Sequence, residues 1–200
     1  MANERKTIVV PRSDLPACNI PFAIVTGDGV DDYDKTAKQY TAYIIHTKKS
    51  AKAMKEAVLE FWEENKAKGA GDEPNNFKNM VRTKDDGTLI SYFKTTTSFG
   101  DGKPNVIAMV DAKRNPLDPA VYGMFGGSST GRIAVDMKVY QEGKPSSGVS
   151  LFLKSVQLVT FEHLSSGGTD EFGDEDGEAL GETGFESEKP KKKKKRKKTS

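Results

Sequence analysis

The 200-residue chain is poor in the side chains that build disulfides, metal centres and membrane spans. Its single cysteine, Cys18, excludes an internal disulfide framework and a cysteine-rich zinc site. Its two histidines, His46 and His163, are too few for a multi-histidine metal centre. No stretch approaches the roughly 20 consecutive apolar residues of a membrane-spanning helix, and the polar N-terminus precedes no apolar segment of a secretory signal. We expect a soluble protein of a reducing compartment, without metal or cofactor.

The net charge of +2 conceals two opposite blocks near the C-terminus. Residues 170–188 contain nine acidic and no basic residues, and residues 189–198 contain nine basic and no acidic residues. A Ser-Ser-Gly-Gly segment precedes the two blocks and is typical of a flexible linker. Apolar residues beyond it are too few to offset the entropy of ordering. We expect a disordered tail at 165–200 and one folded domain at 1–164.

Strand patterns dominate the predicted domain. β-Branched and aromatic segments bounded by turn residues predict strands at 20–25, 39–47, 88–99, 106–110, 132–141 and 149–161. One helix is predicted from Ala51 to Lys68, with Ser50 as its N-cap. Trp62 lies on the apolar stripe of that helix, and we assign it to the core. The pattern predicts an all-β fold with one helix, in the form of a small closed or nearly closed β-barrel followed by the disordered tail.

Three groups of residues could carry catalysis or bind an ion, and none fits its motif. Residues 126–132 resemble a phosphate-binding loop, but they lack the Lys-Ser/Thr end and lead into a strand instead of a helix. The acidic cluster at 28–34 does not match the spacing of a calcium loop. The two histidines have no serine or cysteine partner at a spacing typical of a catalytic motif. We therefore expect a protein without enzymatic activity.

Basic and aromatic residues recur together on the polar faces of the predicted strands. The candidates are Lys38, Tyr40, Tyr92, Lys94, Arg132, Lys138, Tyr140, Phe152 and Lys154. Cations that follow a phosphate backbone, interleaved with rings that stack on unpaired bases, are typical of single-stranded nucleic-acid binding. Solvated cross-strand Tyr–Lys pairs produce the same pattern on half-exposed sheets. The pattern alone leaves both interpretations open.

Four short motifs occur in a recognisable order. They are Lys94 with Ser98-Phe99, then Val110-Asp111-Ala112-Lys113, then Gly126-Gly127-Ser128, and finally the strand 148–159. With these motifs, the stretch 92–162 resembles the single-stranded DNA-binding proteins of tailed bacteriophages, including those of short-tailed coliphages. The strand and helix predicted at 39–68 fit the same pattern. The resemblance extends over about the middle four-fifths of the chain.

The resemblance implies an OB-fold-like five-stranded barrel without catalytic activity. It also implies the coating of unpaired DNA during replication and recombination in the cytoplasm of a bacterial host. It implies DNA contacts for Lys94 and the strand 132–140, and for Lys38 or Tyr40. It also implies an acidic tail that contacts replication or recombination proteins and can occupy the DNA groove. The basic block at 189–198 departs from that family pattern.

Two other functions remain open from the sequence. One is a phage structural or assembly β-barrel protein whose basic tail condenses the genome. The other is a nuclear factor, because the Lys/Arg run at 191–198 matches an import signal. The oligomeric state, the number of nucleotides bound and the identity of protein partners are not readable from the sequence.

Overall fold

The computed structural model describes residues 5–140 and 147–164, which contain twelve strands and three helices. In chain order the elements are β1 (Arg5–Val10), β2 (Cys18–Asn19), β3 (Phe22–Ile24), β4 (Val30–Asp31), β5 (Lys38–His46), α1 (Lys48–Asn65), α2 (Phe77–Met80), β6 (Arg82–Thr83), β7 (Leu89–Thr96), β8 (Ala108–Val110), β9 (Pro116–Leu117), α3 (Pro119–Tyr122), β10 (Met124–Gly126), β11 (Thr130–Tyr140) and β12 (Gly148–Thr160). The predicted tail at 165–200 lies outside the described residues, so its disorder stays a prediction. None of the described helices is long and apolar enough to cross a membrane.

Five strands close into a barrel. β11 pairs with β12, β12 runs parallel to β7, β7 pairs with β5, β5 pairs with β2, and β2 returns to β11. Along β11 every second side chain is buried, from Ile133 through Val135 and Met137 to Val139. Successive side chains of a strand point to opposite faces, so the alternation leaves the outer face polar. The OB-fold-like five-stranded barrel is confirmed.

Helix α1 begins earlier and ends earlier than predicted. Its N-cap is Thr47, whose hydroxyl accepts a hydrogen bond from the Ser50 backbone N–H at 3.1 Å. The prediction of Ser50 as the cap is wrong, because threonine can also cap a helix and β5 leads directly into the helix at Thr47. The Ser50 side chain is instead buried in the first turn. At the other end, Lys66 caps the helix through its backbone N–H and the Trp62 carbonyl.

The core lies between the barrel and the apolar face of α1, which packs against β1, β5, β11 and β12. Phe61 and Trp62 supply its largest helical side chains, and each is 1% exposed. The indole N–H of Trp62 donates to the Gly71 carbonyl at 3.0 Å, so its one polar atom is satisfied. Phe93 and Phe125 contribute from the strands. The prediction that Trp62 belongs to the core is confirmed.

Several elements differ from the sequence prediction. β1 was not predicted, because Val9 and Val10 are adjacent apolar residues that break the alternation; it pairs with β11 along its whole length. The strand expected at 20–25 is reduced to Phe22–Ile24, since Pro21 cannot donate to a ladder. Two four-residue helices, α2 and α3, add to the single helix predicted.

Candidate nucleic-acid interface

The outer face of β5, β7 and β12 brings rings and cations together. In β7, Tyr92 and Lys94 are exposed while Phe93 between them is fully buried. The strand register places Tyr43 of β5 opposite Tyr92, and Phe152 of β12 opposite Lys94. Residues opposite each other in neighbouring strands share one face. The barrel therefore assembles one aromatic and basic surface from three separate parts of the sequence.

Three rings form a continuous row on this surface. The Phe22 and Tyr43 rings meet edge to face, with centroids 5.7 Å apart and planes at 74°. The Tyr43 and Tyr92 rings are tilted by 40° with centroids 4.7 Å apart. Burial, supported by the neighbouring Tyr92, raises the pKa of the Tyr43 hydroxyl, so this phenol is neutral at physiological pH. Tyr92 is 44% exposed and presents the most open ring of the row.

A groove of about 890 Å³ lies over the ring row. Its walls include Pro21, Phe22, Tyr43, Asn79, Arg82, Thr83, Lys84, Ile90, Tyr92 and Lys94. A depression of about 320 Å³ adjoins it and is also lined by Asn79, Arg82, Tyr92 and Lys94. The depression ends at Phe152, which is 39% exposed. We use "the groove" for both hollows together.

Three cations border the groove: Arg82, Lys84 and Lys94. Within residues 5–140 and 147–164, none of the three takes part in a salt bridge. All three side chains are exposed, so their charges are available to an anionic ligand. The groove therefore offers flat apolar rings beside exposed positive charge, a combination suited to a polyanion with exposed planar bases.

Among the sequence candidates, the structure brings Tyr92, Lys94 and Phe152 together in the groove. Lys138 and Tyr140 of β11 flank it one strand further on, opposite Ser150 and Gly148 of β12. Their predicted DNA contacts stay predictions.

Two further candidate lysines are engaged by carboxylates. Lys154 shares the outer face with Phe152, but its ammonium group lies 3.0 Å from Asp136 and 2.9 Å from the Thr7 hydroxyl. Burial alone would raise the pKa of Asp136, but hydrogen bonds from Thr7 and Lys154 overcome that effect and lower it. Lys38 lies 2.7 Å from Asp31 in the neighbouring β4. Both lysines would have to leave a partner to contact a phosphate.

Two candidate side chains are bonded within the fold and are not free to contact a ligand. Tyr40 is only 9% exposed, and its hydroxyl donates to the Gly27 carbonyl at 3.2 Å, so its ring faces the core. The Arg132 guanidinium donates to the carbonyls of Pro11, Arg12 and Leu15, at 3.1, 2.8 and 2.6 Å. It holds the segment that follows β1 against the barrel.

Sequence reasoning missed Phe22, Tyr43, Arg82 and Lys84. The expected parity of β5, with Tyr40 on the polar face, is inverted, since Tyr40, Ala42, Ile44 and His46 are the buried residues. Ile44 and Ile45 place one large aliphatic residue on each face, so the alternation in β5 is ambiguous. Arg82 belongs to a two-residue strand, which is too short to show any period.

The acidic residues at 28–34 make contacts within their own loop and with β5. Within the part of the chain that the structure describes, no group of three or more metal-ligating side chains converges. Asp31 pairs with Lys38, and the Asp32 carboxylate accepts hydrogen bonds from the backbone and hydroxyl of Thr36 at 2.8 and 3.0 Å. These carboxylates shape the loop that they belong to.

The fold and the groove define a class: a small OB-fold-like barrel with a ring-lined, basic outer groove, the architecture on which many proteins bind oligonucleotides. The chain resembles gp2.5, the single-stranded DNA-binding protein encoded by bacteriophage T7. The two share 20% identity and superpose with a TM-score of 0.51 over 89% of this chain and 100% of gp2.5. This likeness shows a common fold.

The single-stranded DNA-binding protein from bacteriophage Enc34 is a more distant match. It is 14% identical, covers 80% of this chain and 85% of its own, and has a TM-score of 0.44. Its complex with single-stranded DNA matches at 15% identity, covering 74% of this chain and 87% of its own, with a TM-score of 0.43. No protein-family profile matches the sequence, and no curated protein matches it either.

Proposed function

We propose that this protein binds single-stranded DNA without sequence specificity and coats unpaired DNA during phage replication and recombination. The groove is the observation that carries the proposal. Bases can stack on Tyr92 and Phe152, each contact contributing about 1–3 kcal/mol, while Lys94 lies between them to neutralise a phosphate. The fold shared with the T7 protein supports the same function.

The geometry favours an unpaired strand over a duplex. The Tyr92 ring lies in a groove, with Tyr43 of β5 at 4.7 Å on one side and Phe152 of β12, opposite Lys94, on the other. A ring in this position can stack only on a base that is splayed away from its complement. Every base has a π-face, so such contacts are tolerant of sequence. Specific readout would require directional contacts to base edges, which aromatic faces do not supply.

The three groove cations set the expected electrostatic contribution. Neutralising one phosphate of a single strand releases counterions and contributes about −0.7 to the slope of log affinity against log salt. Arg82, Lys84 and Lys94 together correspond to a slope of about −2 for the groove. Binding should therefore weaken with salt, but the stacking contribution should persist at high salt.

The finer parts of the proposal rest on the sequence. We propose a binding protein and not an enzyme, acting in the cytoplasm of a bacterial host. The domain at 1–164 carries the groove, and the charged tail at 165–200 is its candidate contact to phage replication or recombination proteins. Lys138 and Tyr140 are proposed as secondary DNA contacts, since they flank the groove.

A pair of matched phenylalanines tests the groove. Phe152 is 39% exposed inside it, and Phe161 is 40% exposed just after β12, where its ring packs against Tyr122. Phe152→Leu should weaken binding of fluorescently labelled oligo-dT about 5- to 10-fold, which corresponds to the lower part of the free-energy range for one stacked base. Phe161→Leu should bind oligo-dT as tightly as the wild type. Anisotropy titrations of the full chain give both affinities. Equal affinities for the two variants would contradict the assignment of the groove.

A further inference from the structure

Two loops beside the groove each carry an aromatic ring exposed to solvent. Tyr33, in the loop 32–37 after β4, is 100% exposed, and Phe99, in the loop 97–107 after β7, is 53% exposed. Neither ring contacts another ring within the described residues. An aromatic side chain that is largely exposed to solvent contributes little to the stability of the fold. Such rings are suited to contact a ligand.

The two loops are joined at the same end of the β5–β7 ladder. The Thr97 backbone N–H donates to the Lys38 carbonyl at 3.0 Å. Gly29, just before β4, adopts a φ of +67°, and a Cβ there would lie 2.5 Å from the Gln39 carbonyl oxygen and 2.8 Å from Thr97 Cγ2. This close approach fixes the segment that leads to Tyr33 against the start of the loop that carries Phe99.

Both loops are held by their own hydrogen bonds. The Asp32 backbone N–H donates to the Ala37 carbonyl at 2.9 Å and closes the loop around Tyr33. The Phe99 backbone N–H donates to the Lys103 carbonyl at 2.8 Å, and the Asn105 amide donates to the Thr96 carbonyl at 2.9 Å. Because the backbones are already ordered, binding to these rings costs little additional conformational entropy.

The groove leads toward these loops. Tyr92, Lys94 and Thr96 occupy the outer face of β7, and Thr97 follows directly. At about 3.3 Å per residue, Lys94 and Thr97 are about 10 Å apart along the strand. The charge of Lys94 also interacts with Asp32, the residue before Tyr33. A strand bound at Lys94 that continues in the direction of β7 therefore reaches both rings.

We propose that Tyr33 and Phe99 extend the binding surface beyond Lys94 by stacking on further bases of the bound strand. The inference rests on the proposed function, since it assumes the same ligand. Asp32 and Asp34 flank Tyr33 in the chain, and their negative charges repel phosphates. The contact at this end is therefore to bases, with the backbone held on the side of Lys94.

The test compares two lengths of oligo-dT on the full chain. A short oligonucleotide of about 5 residues fills the groove, and one of about 16 residues reaches the loops. Tyr33→Ala and Phe99→Ala should each lower affinity for the long oligonucleotide about 5- to 10-fold and leave the short one unchanged. Because no phosphate contact is lost, the salt dependence should keep its slope.

Val106→Ala is the matched control, because Val106 is 70% exposed in the same loop as Phe99 and cannot stack. It should bind both lengths as the wild type does. Tyr33→Trp should restore full affinity, and its emission should be quenched by the long oligonucleotide. The native Trp62 is 1% exposed and should show no quenching.

The outcomes separate the inference from the function on which it rests. Wild-type affinity of both alanine variants for both lengths would overturn the inference and leave the groove intact as the binding site. An equal loss at both lengths would also overturn it, since the rings would then not act beyond the groove. If the wild-type chain bound neither oligonucleotide, the proposed function itself would fall.

Discussion

His46 makes the stability of the barrel depend on pH. Its ring is buried, with Nδ1 2.9 Å from the Ser50 hydroxyl and Nε2 2.8 Å from the Ser91 hydroxyl. Ser91 donates its proton to the Met80 carbonyl, so it accepts from Nε2–H, and Nδ1 then accepts from Ser50. Protonation of Nδ1 would require the Ser50 hydroxyl to rotate and accept from the ring, and the hydrogen bond that it donates to the neutral ring would be lost.

The magnitude follows from the pKa of this group. Burial lowers the pKa of His46 to about 4, whereas in an unfolded chain it is about 6.5. Between these values the unfolded state binds more protons, so the free energy of unfolding decreases as pH decreases. The stabilisation is complete above about pH 6.5 and is lost as pH falls to about 4. The full loss is about 3 kcal/mol, of which about 2 kcal/mol is lost by about pH 5.

Urea unfolding followed by Trp62 fluorescence measures this effect, because Trp62 becomes exposed only on unfolding. The wild type should lose about 2 kcal/mol more than His46→Gln when the pH is lowered from about 7.5 to about 5. His163→Gln is the control, since His163 is exposed, and it should behave as the wild type. The same pH dependence in all three proteins would refute the assignment of a neutral, buried His46.

Three other substitutions probe the groove and the framework around it. Lys94→Gln should lower affinity for oligo-dT and make the log–log salt slope shallower by about 0.7, and an unchanged slope would show that Lys94 contacts no phosphate. Arg132→Gln should instead leave the salt slope unchanged and destabilise the fold by about 1–2 kcal/mol, measured by urea unfolding, because three carbonyls lose a charged donor. Gly29→Ala should lower the free energy of unfolding by about 1–3 kcal/mol, because the added Cβ would clash with Gln39 and the backbone at this position has a positive φ. A variant as stable as the wild type would contradict the close approach of the two loops.

Strands in which apolar and polar residues alternate cleanly could be predicted from the sequence, and so could the buried face of each. In β11 the inward residues from Ile133 to Val139 are aliphatic or methionine, whereas the outward residues are mostly polar, so only one face of the strand could be the buried one. β5 has apolar residues on both parities, and tertiary packing decided that Tyr40 lies inside and Tyr43 outside. The barrel could thus be predicted from periodicity, while one wall of the groove could not.

Charge availability was the second property that the sequence did not reveal. A list of lysines and arginines on polar faces does not show which of them are already engaged. Arg132 meets carbonyls 117–121 residues away in the chain, and Lys154 meets Asp136 across the β11–β12 ladder. The cations Arg82 and Lys84 lie after a four-residue helix, where no hydrophobic period marks them. Long-range contacts therefore select the site from a larger set of candidates.

The most direct test of the central claim is the affinity of the full chain for oligo-dT compared with a duplex of equal length, at the same moderate salt concentration. Stacking on Tyr92 and Phe152 requires unpaired bases, so the single strand should bind at least 10-fold more tightly, the equivalent of about one stacked base. The preference should shrink in a Tyr92→Leu, Phe152→Leu double variant. Equal affinity for the two ligands in the wild-type chain would contradict a groove built for unpaired DNA.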